Sequence, residues 1–164
     1  MTLSHIAAMA ENHVIGNDGE LPWDIPEDMR YFMNTTKDHV IVMGRKTFET
    51  LDKPLPRRLT IIITRQLGYK AEGCIVVKNL TEALEEAKKH IPPYPDEVFI
   101  CGGGEIYKES LPIIDKIYLT RVYEEFDGDA YYPQVDFSKF KKVSQIDRDD
   151  PIPFSFEVYE AIRG

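Results

Sequence analysis

The residues best suited to chemistry start at Asp28. Pro26, Glu27 and Asp28 open a run that reads as a helix from Pro26 to about Thr36, with Asp24 or a neighbour as its cap and Glu27 in capping-box spacing. On that helix Asp28 shares a face with Tyr31, Phe32 and Thr35. A carboxylate lying along an aromatic face is poorly hydrated, which raises its pKa. A ligand with an amidine-like N–C–N edge could donate two hydrogen bonds to it and hold it ionised. Taken alone, such an acid more often serves only the helix dipole. The segment before it argues for more. Gly16-Asn17-Asp18-Gly19 reads as a mobile loop, and it feeds Trp23, the single tryptophan, held between Pro22 and Pro26.

A second group of residues suits phosphate. His39 to Met43 reads as a buried strand running into Gly44-Arg45-Lys46-Thr47 and a short helix to about Leu51. Backbone N–H groups, a helix N-terminus and cations would converge there. It is not a P-loop, because the G-x-x-x-x-G-K-[ST] pattern is absent. Leu59 to Thr64 is a further buried strand with Arg65 at its end, and Cys74 to Val77 a strand followed by Lys78. Glu97 to Cys101 runs into Gly102-Gly103-Gly104-Glu105-Ile106-Tyr107 and a helix to about Leu111, where glycines let a phosphate come close. Pro54-Leu55-Pro56 braces Arg57 and Arg58, and Arg58 could clamp a carboxylate, although an isolated arginine is usually a surface residue.

The elements that must position these groups alternate. Leu3 to Met9, His39 to Met43, Leu59 to Thr64, Cys74 to Val77, Glu97 to Cys101 and Ile117 to Tyr123 read as strands, and a helix from Thr81 to Lys89 presents Ala83, Leu84 and Ala87. Phe140 to Ile146 and Phe154 to Ile162 read as a closing antiparallel hairpin around a loose loop at Asp149 to Pro153, and Glu124 to Pro133 as a surface excursion. The expected fold is α/β: three layers, a mostly parallel central sheet of about eight strands, four helices and a C-terminal hairpin, in one domain over 1–164. In such a sheet ligands bind beyond the C-terminal strand ends. The three glycine- or arginine-bearing ends should therefore meet. Their cations, Arg45, Arg65 and Lys78, suit an extra phosphate and favour NADP over NAD, whose sites commonly carry an acid there.

Composition narrows the classes. With 164 residues and a net charge of −8, the chain is large enough for its own core and too acidic for a general nucleic-acid binder. Lys37 to Arg65 nevertheless holds seven basic residues against three acids, Asp52 among them, a local +4 suited to a small anion. Cys74 and Cys101 are too few for a disulfide framework, no apolar run approaches membrane-spanning length, and no leader is evident, so the cytoplasm is expected. His5, His13, His39 and His90 lack metal spacing and read as structural or exposed, so no metal is expected. Cys101 reads as buried and inert.

At this point the chain resembles dihydrofolate reductase in its short bacterial form, over essentially its whole length. The motifs are Ile6-Ala7-Ala8, Val14-Ile15-Gly16, Leu21-Pro22-Trp23, Pro26 to Asp28, Met43-Gly44-Arg45-Lys46-Thr47, Pro54-Leu55-Pro56, Gly102-Gly103-Gly104 with Ile106-Tyr107, Tyr118-Leu119-Thr120, and Gly128-Asp129 with Tyr132-Pro133. Their order and spacing make the resemblance specific.

The resemblance implies NADPH-dependent reduction of 7,8-dihydrofolate to tetrahydrofolate, serving one-carbon metabolism, with antifolates binding the Asp28 pocket and the chain acting as a monomer. It implies that Asp28, Leu21, Trp23 and Thr120 serve catalysis, with Thr120 supporting Asp28 through water. Ile6, Ala7, Asp28, Phe32, Leu51, Leu55, Arg58 and Thr120 would hold the substrate, Arg58 taking the α-carboxylate of its glutamate. Ala8, Ile15, Gly16, Asn17, Asp18, Gly19, Glu20, Gly44, Arg45, Lys46, Thr47, Thr64, Arg65, Lys78, Cys101, Gly102, Gly103, Gly104, Glu105, Ile106 and Tyr107 would hold NADPH, with a cis Gly102–Gly103 bond. Asn17 to Leu21 would be a lid with Trp23 as its pivot. Cys101, Lys53 and Glu105 depart from the usual residues. Two other readings stand beside this one. A pyrimidine reductase of riboflavin synthesis would not need the Leu-Pro-Trp loop joined to Asp28, and a non-catalytic nucleotide-binding module would leave Asp28 and Arg58 idle.

Overall fold

The computed structural model describes residues 1–51 and 53–163, so Asp52, counted above in the basic segment, lies outside the described residues. Ten strands and four α-helices follow in the order β1 (Thr2–Ala10), β2 (Val14–Gly16), α1 (Pro26–Thr36), β3 (Val40–Gly44), α2 (Arg45–Glu49), β4 (Leu59–Ile63), β5 (Ile75–Val77), α3 (Leu80–Lys89), β6 (Glu97–Ile100), α4 (Gly104–Ser110), β7 (Lys116–Val122), β8 (Ala130–Tyr131), β9 (Phe140–Arg148) and β10 (Phe154–Ala161). Eight of the strands form one sheet in the order β5-β4-β3-β6-β1-β7-β10-β9. Neighbours from β5 through β7 are parallel, and β10 and β9 close the edge antiparallel. The expected eight-stranded α/β sheet with a terminal hairpin is thus present.

The strands read as unbroken apolar runs because both faces are covered. On β3, Val40 and Val42 point into a cluster with Leu80, Ala83, Ala87 and Tyr107 of α3 and α4. Ile41 and Met43, one residue out of phase, point to the opposite face and pack with Ile6, Phe99 and Phe32 of α1. These four β3 side chains are at most 2% exposed. Each is worth about 1.5–3 kcal/mol of apolar burial, enough to fix the strand register that positions its C-terminal end. The aromatic face of α1 is also held by Tyr31, which stacks on Phe156 of β10 with centroids 4.3 Å apart.

Two local expectations change. Helix α1 has Ile25 as its N-cap and no side-chain cap hydrogen bond, so the capping box through Asp24 does not form. Pro26 at the first position removes one of the N–H groups that a cap would serve, and Ile25 instead packs beside Trp23. The excursion before Pro133 contains β8, which pairs antiparallel with β2 as a separate two-stranded ribbon. Both strands are too short to show a period.

Candidate active site

The parallel strands all end on one side, and there the chain leaves a cleft of about 1620 Å³. That exceeds the roughly 300–1,000 Å³ of an ordinary small-molecule pocket and has room for two ligands side by side. All three strand ends singled out from the sequence line it: Gly44 to Thr47, Thr64 with Arg65, and Gly102 to Tyr107, together with Lys78.

One half is built for an anion. The N-caps of α2 and α4 are Gly44 and Gly103, both extended and without a side-chain cap, so the first N–H groups of each helix stay available. The two ends are laced together, since Gly44 N–H donates to the Gly102 carbonyl at 2.9 Å and Cys101 N–H to Val42 at 2.9 Å. The Gly102–Gly103 peptide is cis. A Cβ on Gly104 would stand 2.7 Å from the Tyr131 carbonyl oxygen, so only glycine lets α4 start against β8. Arg45 pairs with Glu49 at 2.8 Å, whereas among the described residues Lys46, Arg65 and Lys78 form no ion pair. Three free cations beside two uncapped helix starts fit a dinucleotide carrying an additional phosphate.

The other half is built around Asp28. Ile6, Ala7 and Ala8 of β1, Phe32 of α1, Leu51, Leu55, Cys101 and Thr120 of β7 line it with Asp28. Thr120 donates its hydroxyl to Asp28 Oδ1 at 2.8 Å, a direct bond where water was expected. The registers explain it: Thr120 pairs with Ala8, which brings β7 under the first turn of α1. Burial raises the Asp28 pKa, and the Thr120 hydrogen bond opposes that rise without cancelling it. Burial and then the Asp28 charge raise Tyr31, and burial pushes the Cys101 thiol up to about 12. Among the residues named for this half, Asp28 is the one carboxylate.

The segment ahead of α1 is tighter than its glycines suggest. Asn17 and Glu20 exchange hydrogen bonds of 2.8 and 3.1 Å around Asp18 and Gly19, whose φ values are 51° and 79°. Positive φ at both central positions is the type I′ hairpin turn, for which Asp-Gly is suited. The turn is tied to the β8 side: Asp18 N–H donates to Asp129 Oδ2 at 3.2 Å, and Asp129 N–H to the Gly16 carbonyl at 3.0 Å. Ile15, Gly16, Gly19, Glu20 and Leu21 face the cleft, and Leu21 is 45% exposed at its mouth.

Four predicted residues are not on the cleft wall: Asn17 and Asp18 at the turn, Trp23, and Arg58. Trp23 is buried among Ala10, Val14, Ile25 and Val122, with its ring 5.5 Å from Phe126. Arg58 donates Nε to Thr36 Oγ1 at 2.9 Å and its two terminal nitrogens to the Pro56 and Met33 carbonyls. Those bonds use three of its five N–H groups and fix the plane of the fork, leaving two for a ligand. Arg57 turns away to a bidentate pair with Asp38. Glu105 and Ile106, by contrast, do line the cleft, as do Met33, His13, Gln66, Asn79, Tyr131 and Tyr132, which the sequence reading had not included. Gln66 and Asn79 directly follow Arg65 and Lys78, and that adjacency was the available signal. Tyr131 and Tyr132 needed the unforeseen β2–β8 ribbon. Among the described residues no group of three or more His, Cys, Asp or Glu could hold a metal, and no helix is long and apolar enough to cross a membrane.

The family model described as "Dihydrofolate reductase" matches residues 2–161. The chain is 39% identical over 162 residues to the dihydrofolate reductase of Bacillus subtilis, covering 96% of this chain and 94% of that protein. It is 36% identical over 167 residues to the dihydrofolate reductase of Staphylococcus haemolyticus, covering 99% and 98%. Among solved structures it is similar to dihydrofolate reductase from Enterococcus faecalis complexed with NADP(H) and RAB-propyl. That match has a TM-score of 0.90 and 35% identity and covers 99% of this chain and 97% of that one.

Proposed function

The chain belongs to the dihydrofolate reductase family, and from that premise we propose how its cleft divides the work of NADPH-dependent reduction of dihydrofolate to tetrahydrofolate. NADPH supplies the hydride, which goes to C6 of the pterin. The observation that carries the assignment is Asp28: a carboxylate with a raised pKa, held by Thr120 in an apolar pocket, beside a half-cleft of free cations.

Asp28 accepts hydrogen bonds from the 2-amino group and N3 of the pterin. Thr120 fixes the rotamer that aims the carboxylate. Ile6, Ala7, Phe32, Leu51 and Leu55 exclude water from the ring faces, and the two remaining Arg58 donors take the α-carboxylate of the glutamate. Arg45, Arg65 and Lys78 hold the extra phosphate that marks NADP, and the starts of α2 and α4 hold the pyrophosphate. Gly44, Lys46, Thr47, Thr64, Cys101, Gly102 to Tyr107 and Ala8 shape the rest of that half. Asn17 to Leu21 form the lid over the reacting rings, and Trp23 anchors it from the core side.

Protonation of N5 needs a donor, and the described neighbours of Asp28 are poor ones: burial raises Tyr31 and Tyr107 and pushes the Cys101 thiol up to about 12. Asp28 itself is engaged with N3. Water entering beside Leu21 therefore delivers the proton, and the ionised carboxylate raises the basicity of the pterin. The chain acts as a single domain, as a monomer in the cytoplasm, and antifolates occupy the Asp28 pocket. Loss of reduced-nicotinamide absorbance on mixing the protein with NADPH and dihydrofolate tests the reaction. Substituting NADH tests the role of Arg45, Arg65 and Lys78, and equal turnover with both cofactors would contradict it.

A further inference from the structure

His5 lies at the centre of β1, between Ile100 of β6 and Ile117 of β7, and is fully buried. None of the roles above uses it, yet both of its ring nitrogens have a side-chain partner. Its Nδ1 is 2.7 Å from the Tyr132 hydroxyl and its Nε2 is 2.7 Å from Ser110 Oγ. Its ring packs against Tyr107 at 5.0 Å and Tyr132 at 5.7 Å, and those two tyrosine rings meet at 5.1 Å.

Counting protons gives the chain a direction. Ser110 Oγ is 2.6 Å from the Ile106 carbonyl, to which it must donate its only proton, because a carbonyl has none to give. Nε2 must then carry the imidazole proton and donate to Ser110. Nδ1 is left as an acceptor and takes the Tyr132 hydroxyl. The sequence is Tyr132 to His5 to Ser110 to Ile106, every bond satisfied and none reversible without stranding a buried group. Burial holds the His5 pKa at about 3, so the neutral ring this requires persists through the physiological range.

The three elements joined in this way are the ones the cofactor half of the cleft depends on. Ser110, Ile106 and Tyr107 belong to α4, whose start at Gly104 faces the cleft and abuts the Tyr131 carbonyl. Tyr132 directly follows β8, and its N–H donates to the His13 carbonyl at 2.9 Å, beside the β2 strand that leads into the Asp18-Gly19 turn. Tyr107 adds a second tie, donating its hydroxyl to the Ile6 carbonyl at 2.6 Å.

We infer that His5 is a positioning residue for the cofactor: its fixed tautomer ties α4, through its last residue Ser110, to the Tyr131–Tyr132 segment and so sets the half of the cleft that receives NADPH. The inference rests on the cofactor reading above but concerns a residue that does not itself line the cleft. Its specific consequence is asymmetry. Weakening the chain should loosen NADPH and spare dihydrofolate, whose contacts through Asp28 and Arg58 are made by α1 and the turn after Pro56.

Two measurements test it. Ser110→Ala, at a residue off the cleft wall, removes one hydroxyl of the chain, and Tyr132→Phe breaks it from the other side should Ser110→Ala fold poorly. In either, the KM for NADPH should rise about fivefold or more while the KM for dihydrofolate stays within about twofold. A lowered melting temperature with both KM values unchanged, or with both raised together, would overturn the inference and leave His5 a core residue only. In the wild-type protein labelled with 15N-histidine, His5 should show the Nε2-protonated tautomer at neutral pH, and an Nδ1-protonated ring would overturn the stated direction. Wild-type turnover with NADPH is the control, and its absence would count against the functional reading, not against this one.

Discussion

Asp28 concentrates the tension between stability and function in one side chain. Its folded pKa lies above the unfolded value of about 3.9. Below that unfolded value both states are protonated and the burial carries no penalty. As pH rises through the folded value the folded state must bear an ill-solvated charge, so the penalty is fully present at neutral pH. Asp28→Asn keeps an acceptor for Thr120 and removes the charge. It should therefore raise the melting temperature of the free protein at neutral pH, by a few degrees at most, while lowering kcat/KM by about a hundredfold or more. A calorimetric scan checks the first and steady-state kinetics the second. Arg58 is the complementary case, since its fork is already oriented by Thr36, Pro56 and Met33. Arg58→Leu should raise the KM for dihydrofolate about ten- to a hundredfold and leave the KM for NADPH nearly unchanged. Equal effects on both would contradict the clamp.

At the scale of elements, two contacts hold neighbouring elements together. The first is α4 against β8 at Gly104, where an added methyl would meet the Tyr131 carbonyl oxygen at 2.7 Å. Gly104→Ala must push the two apart, at about 1–3 kcal/mol, and should raise the KM for NADPH before it affects that for dihydrofolate. Titrating each ligand by fluorescence would read this directly. The second is the hairpin that closes the sheet. Glu157 of β10 is 2% exposed and is held by Arg121 at 2.7 Å, by Ser155 at 3.1 Å and by Tyr159. Burial alone would raise its pKa, but the hydrogen bonds from Tyr159 and Arg121 bring it below the ordinary value. Its stabilisation is thus present above the unfolded pKa and is lost as pH falls through the folded one. Arg121→Ala removes the main counter-charge, should cost about 3 kcal/mol at neutral pH, and should move acid unfolding to higher pH. A denaturant melt at two pH values checks both.

For the molecule as a whole, much of this arrangement is written locally. Buried strands announce themselves as unbroken apolar runs, and glycine or arginine at their ends marks where a parallel sheet will place a ligand. That pattern alone brings Gly44, Arg65 and Gly102 to one cleft. It also selects Asp28 from the aromatic spacing along α1. What stays hidden is contact between segments far apart in sequence. His5 meets Ser110 and Tyr132 across 105 and 127 positions, so nothing near His5 distinguishes it from an ordinary core histidine. The β2–β8 ribbon is hidden because strands of three and two residues have no readable period. The loop at Asp18-Gly19 looks loose for another reason: the residues that permit disorder are also those that a type I′ turn demands.

The central claim is that one ionised carboxylate, Asp28, makes the pterin reactive while water supplies the proton. The most direct test is the pH dependence of NADPH oxidation with dihydrofolate for the wild-type protein and for Asp28→Asn. The wild type should remain active at neutral pH. The variant should be slow there and gain activity steadily as pH falls, because without the carboxylate it depends on substrate protonated in solution. A variant with the wild-type rate at neutral pH, or with a pH profile parallel to that of the wild type, would contradict the account.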